Sequence, residues 1–207
     1  MMETKRVYNK KRKLIDIQEA ASRLFMTKPY ASITVDDIAL QAGLTKRTLY
    51  KYYPSKLTLF VRMFDDYLRE LSAEMTDGVE QSKGAEETVR KMFDIQFDFI
   101  KRNIRFMLLF WTLDSGEFGG ELPPELIQSI HFWNKSLLKT AVGVLKEGQK
   151  QGLIGDHDPE VLVNMLSAFL KGIFLHTQKQ TIWGITDLDP ALLKEMFWTL
   201  IKPQLFK

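Results

Sequence analysis

The chain has 207 residues, 45% of them hydrophobic, enough to bury a sizeable core in one large domain or two small ones. It has no cysteine, which excludes a disulfide framework, thiolate metal sites and cysteine nucleophiles, and fits a reducing compartment. The net charge of +3 is unevenly laid out: residues 1–60 hold 12 Lys and Arg against 5 Asp and Glu, and the remainder 17 against 21.

A basic front on an acidic body suits a polyanionic partner. Asp16 and Glu19 interrupt the basic N-terminus and no apolar stretch follows it, so a secretory leader is not expected. The longest apolar runs, Phe106 to Leu113 and Met165 to Leu170, fall well short of the roughly 20 residues a membrane span needs. A cytoplasmic protein without membrane contact is expected.

In chain order the periodicity is helical throughout, with no strand alternation and no Asn-Gly hairpin turn. Leu14, Ile17, Ala21 and Leu24 mark a first helix over about 10–27, which "KPYAS" breaks. Thr34 starts a short second helix as N-cap, with Asp37 at the capping-box position. Gly43 ends that helix, since a residue without Cβ turns the chain left-handed at low cost. Thr45 caps a third helix to about Tyr52, and Pro54-Ser55 stop it and open a fourth to about Met75.

"TDGVEQSKGAEE" reads as a loop, followed by a fifth helix carrying Val89, Met92, Phe93, Phe97 and Ile100 and a sixth over 103–113. "DSGEFGGELPP" reads as a loop before a long seventh helix over 125–150. An eighth and a ninth follow Asp158-Pro159 and Asp189-Pro190, where a capping carboxylate precedes a proline whose missing N–H costs nothing. The expected class is all-α, with about nine helices: a three-helix head on a larger helical body.

Helix, tight turn through Gly43-Leu44, and a short polar helix form a helix-turn-helix pattern. Val35, Ile38, Ala39, Leu44 and Leu49 can face inward on the first helix, leaving Lys46, Arg47, Thr48, Tyr50 and Lys51 outward. A recognition helix needs this: a backbone fixed by packing, with donors projecting into the major groove. Lys46 and Arg47 are expected at guanine edges and the Thr48 methyl at a thymine methyl. Tyr50, Tyr52 and Lys56 are expected at phosphates, together with Thr34 and Thr45 at their helix starts. Asp36 and Asp37 would sit awkwardly there unless they point away or pair with nearby bases.

These residues resemble the N-terminal domain of the TetR family of transcriptional repressors over about residues 14–60. The likeness rests on Ala20-Ala21, Leu24-Phe25, Thr34, Ile38-Ala39, Ala42-Gly43, Thr48-Leu49-Tyr50 and Ser55-Lys56. It implies DNA contact by Thr34, by Thr45 to Thr48, and by Tyr50, Tyr52 and Lys56. Two positions depart from the family pattern. Pro29-Tyr30 replace the usual glycine after helix one, and Tyr53 stands where Phe is common, so a buried hydroxyl there needs a partner.

The resemblance also implies two domains, a DNA-binding one over 1–58 and an effector-binding and dimerisation one over 59–207. In the family the last two helices pair with their copies, which points to Leu162, Met165, Leu166, Phe169 and Ile173 with Met196, Phe197 and Leu200 as a homodimer interface. Two-fold symmetry would match a palindromic operator. The family's small effector would bind among the aromatic middle helices. Candidates there are Phe64, Tyr67, Phe93, Gln96, Phe97, Phe110, Trp111, His131, Trp133 and His176, a set suited to an apolar or aromatic ligand. Aromatics at helical spacing also simply fill cores.

No enzyme is expected. His131, His157 and His176 lack metal-ligand spacing, "GEFGG" lacks the lysine of a phosphate loop, and no cofactor or metal is implied. The competing reading is a DNA-bound interaction protein that occupies dispersed sites and recruits a protein partner, its aromatics filled core.

Overall fold

A computed structural model describes residues 2–112, 124–183 and 188–207. Among the described residues there are nine α-helices: α1 Met2–Thr27, α2 Val35–Gln41, α3 Lys46–Tyr50, α4 Lys56–Gln81, α5 Ala85–Arg102, α6 Ile104–Thr112, α7 Pro124–Lys150, α8 Pro159–Trp183 and α9 Pro190–Leu205. The chain packs as two compact units, Met1–Leu68 with Arg105–His131, and Arg69–Ile104 with Phe132–Lys207.

The first unit is built on α1. Ile17, Ala20, Ala21, Leu24 and Phe25 are buried on one stripe of that helix, where they meet the apolar residues of α2, α3 and the first half of α4. Phe25, Tyr30 and Phe60 form an aromatic cluster with centroids 5.4–5.6 Å apart, and Phe106 of α6 extends it from Phe60 at 5.4 Å. The small Ala20 and Ala21, with no exposed surface, let the helices that cross α1 approach closely.

In the second unit α8 and α9 lie against α5. Phe97 packs on Phe174 at 5.0 Å, and Phe93 lies 5.9 Å from both Phe197 and Trp198. A chain of ion pairs ties α9 to α5: Lys194 to Asp94 at 2.5 Å, Arg90 to Asp94 at 2.8 Å and to Glu195 at 2.5 Å, and Lys202 to Glu86 at 2.6 Å. The Arg90 hydrogen bond, followed by Lys194, holds the Glu195 carboxyl below its ordinary range.

The helix starts follow the local chemistry read from the sequence. Asp158 Oδ1 accepts the N–H groups of Glu160 and Val161, and Asp189 accepts that of Ala191 ahead of α9. Two boundaries differ. Helix α1 begins at Met2 rather than near Lys10, and α4 runs through Gly78 to Gln81 where a loop was expected from about Met75. A Cβ at Gly78 would stand 2.4 Å from Ile95 Cδ1, so this glycine lets α5 cover α4 instead of ending it.

Candidate functional site

The sequence around residues 34–53 builds its own scaffold. The Thr34 hydroxyl accepts the Asp37 N–H at 3.1 Å while the Asp37 carboxylate accepts the Thr34 N–H at 2.8 Å, a complete capping box. Those Thr34 hydrogen bonds hold the Asp37 carboxyl below its ordinary range. Gly43 takes φ +65°, the left-handed turn between the two helices. Thr45 then caps α3 through the Thr48 N–H at 3.2 Å. Ile38 and Leu49 have no exposed surface and Ala39 has 3%, so α2 and α3 are fixed from beneath, with Val35 and Leu44 half-buried.

On the outer side, Lys46, Arg47, Tyr50 and Lys51 are exposed, and Thr48 and Tyr52 half-buried. Asp36 is paired with Lys46 at 2.7 Å, a hydrogen bond that raises the lysine's pKa. So neither aspartate of α2 presents an unbalanced charge: Asp37 closes the helix and Asp36 is matched.

Tyr53 is 5% exposed, and its hydroxyl bonds to Gln18, which in turn donates to Asp66 at 2.7 Å. Burial pushes this phenol's pKa up and the Asp66 charge adds to the shift. The hydroxyl that departs from the family's usual Phe is thereby satisfied.

Lys56 behaves differently from its expected role. Its ammonium donates to the carbonyls of Tyr30 at 2.7 Å and Ile33 at 2.8 Å and lies 4.0 Å over the Tyr30 ring. Two buried carbonyls next to an aromatic face outcompete solvent for this cation, so it clamps the start of α4 to the turn before α2.

The second unit contains a cavity of about 300 Å³. Leu71 and Met75 of α4, Val89, Met92, Phe93 and Gln96 of α5, Asn134, Leu137, Leu138 and Ala141 of α7, and Val163, Asn164, Leu166 and Ser167 of α8 line it. Gln96 Nε2 reaches Ser167 Oγ at 3.4 Å, a long, weak hydrogen bond across the wall.

Comparison with known proteins decides the identity. The profile described as bacterial regulatory proteins, tetR family, matches residues 17–63, the segment whose caps and turn are set out above. The segment belongs to the TetR family.

Regulator YhgD of Bacillus subtilis is 28% identical over 179 residues, covering 83% of this chain and 91% of that protein. IcaR of Staphylococcus aureus, a negative transcriptional regulator of the biofilm operon icaADBC, is 28% identical over 92% of this chain and 96% of its own. A transcriptional regulator from Saccharomonospora viridis, solved in complex with choline, shares the fold at TM-score 0.78 and 19% identity, over 94% of this chain and 97% of that one. A chain with this head is a DNA-binding transcriptional regulator and not an enzyme. Among the described residues no helix is long and apolar enough to cross a membrane.

Of the ten expected effector residues in this regulator, Phe93 and Gln96 alone among the described side chains line the cavity. Phe97 is buried against Phe174, and Trp133 and His176 of the same unit are not in the lining. Phe64, Tyr67, Trp111 and His131 belong to the first unit; Phe64 is 1% exposed there, and Tyr67 packs on Phe106 at 4.4 Å with its hydroxyl 3.2 Å from Ser22 Oγ. The side chain of Phe110 lies outside those the structure describes.

Large rings fill space, so a search for aromatics finds core. The other twelve lining residues carry no ring: they are aliphatic, thioether, amide or hydroxyl side chains. Their signal is Ala141 and Ser167, short side chains at positions where helical spacing calls for a bulky one.

The expected dimer residues also divide. Leu162, Leu166 and Ile173 are 4–8% exposed and lie in the unit's own core, and Phe169 stacks on Phe197 at 3.5 Å between α8 and α9. Met165, Met196 and Leu200 are 50–72% exposed, joined by Val161 at 64% and Leu192 at 56%. Spaced by four residues on each helix, these make an apolar row on the outside of α8 and α9.

Proposed function

We propose that this regulator is a cytoplasmic repressor that binds a palindromic operator as a homodimer and is released by a small apolar effector. Residues 1–58 form the DNA-binding domain and 59–207 the effector and dimer domain. Arg47 and Lys46 read base edges with Thr48, while Tyr50, Lys51, Tyr52, Thr34 and Thr45 hold phosphates. Lys56 fixes the fold beneath them.

The observation that carries the reading is the apolar cavity in a chain whose other end is a fixed helix-turn-helix. A ligand that favours the DNA-incompetent arrangement lowers DNA affinity, and DNA lowers ligand affinity by the same factor. The exposed row of Val161, Met165, Leu192, Met196 and Leu200 supports pairing of α8 and α9 with a second copy. Two-fold symmetry then sets the recognition helices about 34–36 Å apart, or a multiple of that. IcaR's role as a negative regulator supports repression.

Nuclease footprinting on DNA flanking the protein's own gene tests this. A protected palindrome that Arg47→Ala erases supports it. No protection even at low salt, where phosphate contacts are strongest, argues against an operator there.

A further inference from the structure

We infer that the cavity's ligand is an uncharged amphipathic molecule, with an apolar body and one neutral hydrogen-bonding end such as an amide or alcohol. The inference rests on the ligand-responsive reading above and narrows it to a chemical class. Ten of the lining side chains are apolar, and the other four are Gln96, Asn134, Asn164 and Ser167. None of the lining residues is ionisable.

Several charges on the neighbouring turns are already committed to one another. Glu74, between Leu71 and Met75, pairs with Arg102 at 2.6 Å, and Asp94, two residues before Gln96, holds Arg90 and Lys194. An ionic headgroup buried among these walls would lose its water and find no counter-ion in the lining.

A neutral polar end has partners. The Gln96–Ser167 contact is long at 3.4 Å, so exchanging it for shorter bonds to a ligand costs little. Gln96 offers both a carbonyl and an NH2 group, Ser167 a hydroxyl, and Asn164, whose Nδ2 donates to the Glu160 carbonyl at 2.8 Å, keeps its oxygen as an acceptor. Donors and acceptors where α5 faces α8 match an amide, which presents both. A choline-like cation, as bound by the Saccharomonospora viridis regulator, finds no anionic or aromatic cage here: Phe93 is the single ring in the lining.

The test is calorimetric titration of the full-length protein with octanamide, octanoate and octyltrimethylammonium, which share one alkyl chain, repeated on Gln96→Leu and on the cavity-filling Ala141→Phe. Octanamide is expected to bind at least about tenfold more tightly than either ion. Gln96→Leu should remove most of that preference, and Ala141→Phe should abolish binding with the far-ultraviolet dichroism unchanged. Equal or tighter binding of octanoate or the cation would overturn the neutral-ligand inference and leave the ligand-responsive reading intact. If no probe binds the wild-type protein, both fall.

Discussion

In the helix-turn-helix segment Ile38, Ala39 and Leu49 are at most 3% exposed, and threonine hydroxyls close both short helices. Around the second unit's cavity Leu137, Leu138 and Ala141 are only half-buried, and the Gln96–Ser167 hydrogen bond across the walls is 3.4 Å long. The same architecture, helix against helix, is thus filled at one place and left open at another. A base-reading helix of five residues cannot hold its shape alone, so packing and caps must hold it. A ligand site needs the opposite, unfilled volume with replaceable polar contacts.

Truncating leucine in each region would expose this difference most strongly. Leu49→Ala should cost about 2–5 kcal/mol, as large core truncations do, whereas Leu138→Ala should cost less than about 2 kcal/mol because its wall already lacks partner atoms on one side. Urea unfolding followed by circular dichroism measures both, and equal losses would break the comparison.

Next in size, Arg47→Ala should weaken operator binding by about tenfold or more and leave the melting temperature unchanged, since the side chain is exposed. Fluorescence anisotropy with labelled operator reads this, and an altered melting temperature would mean that Arg47 supports the fold.

Thr34→Ala should cost about 1 kcal/mol through the lost cap. It should also change the acid limb of the stability curve. The Asp37 carboxyl is held below its ordinary pKa of 3.8, so its contribution is present above that pH and disappears as pH falls through the lower folded value. Thermal melts between neutral and strongly acid pH should therefore show a shallower decline in Thr34→Ala than in the wild type. Parallel declines would separate Asp37 from the cap.

The smallest expected effect is that of Asp36→Ala. The exposed pair with Lys46 adds nothing measurable to stability, but its removal frees the lysine and takes a negative charge away from the phosphates. DNA affinity should rise slightly at low salt and converge with the wild type at high salt, as titrations at several salt concentrations would reveal.

The helix-turn-helix was legible in the sequence because its signals are local. Thr34, Asp37, Gly43 and Thr45 act on neighbours within five residues, and so does Asp189 before α9. Where the outcome depended on what lies across the unit, the sequence misled. Gly78 reads as a break until Ile95 is seen resting on it, and Lys56 reads as a phosphate donor until the carbonyls of Tyr30 and Ile33 close around it. The cavity was least legible of all, since emptiness is a property of several helices together. Periodicity on α8 marked Leu162, Met165, Leu166 and Ile173 as one stripe, but only packing shows that Met165 faces out.

Two of the cavity's walls are thioethers, Met75 and Met92. Each has three rotatable bonds and a polarisable sulfur, so the volume they bound is a mould that can change shape. Under the proposed function such walls trade discrimination for breadth: neutral molecules of dissimilar outline would meet similar affinities, and the cell's response would follow the summed concentration of a class of compounds. The same sulfurs bring a liability. Oxidation to the sulfoxide would plant a polar group among the aliphatic walls and weaken the proposed ligand binding, while α2 and α3, which contain no methionine, would be untouched.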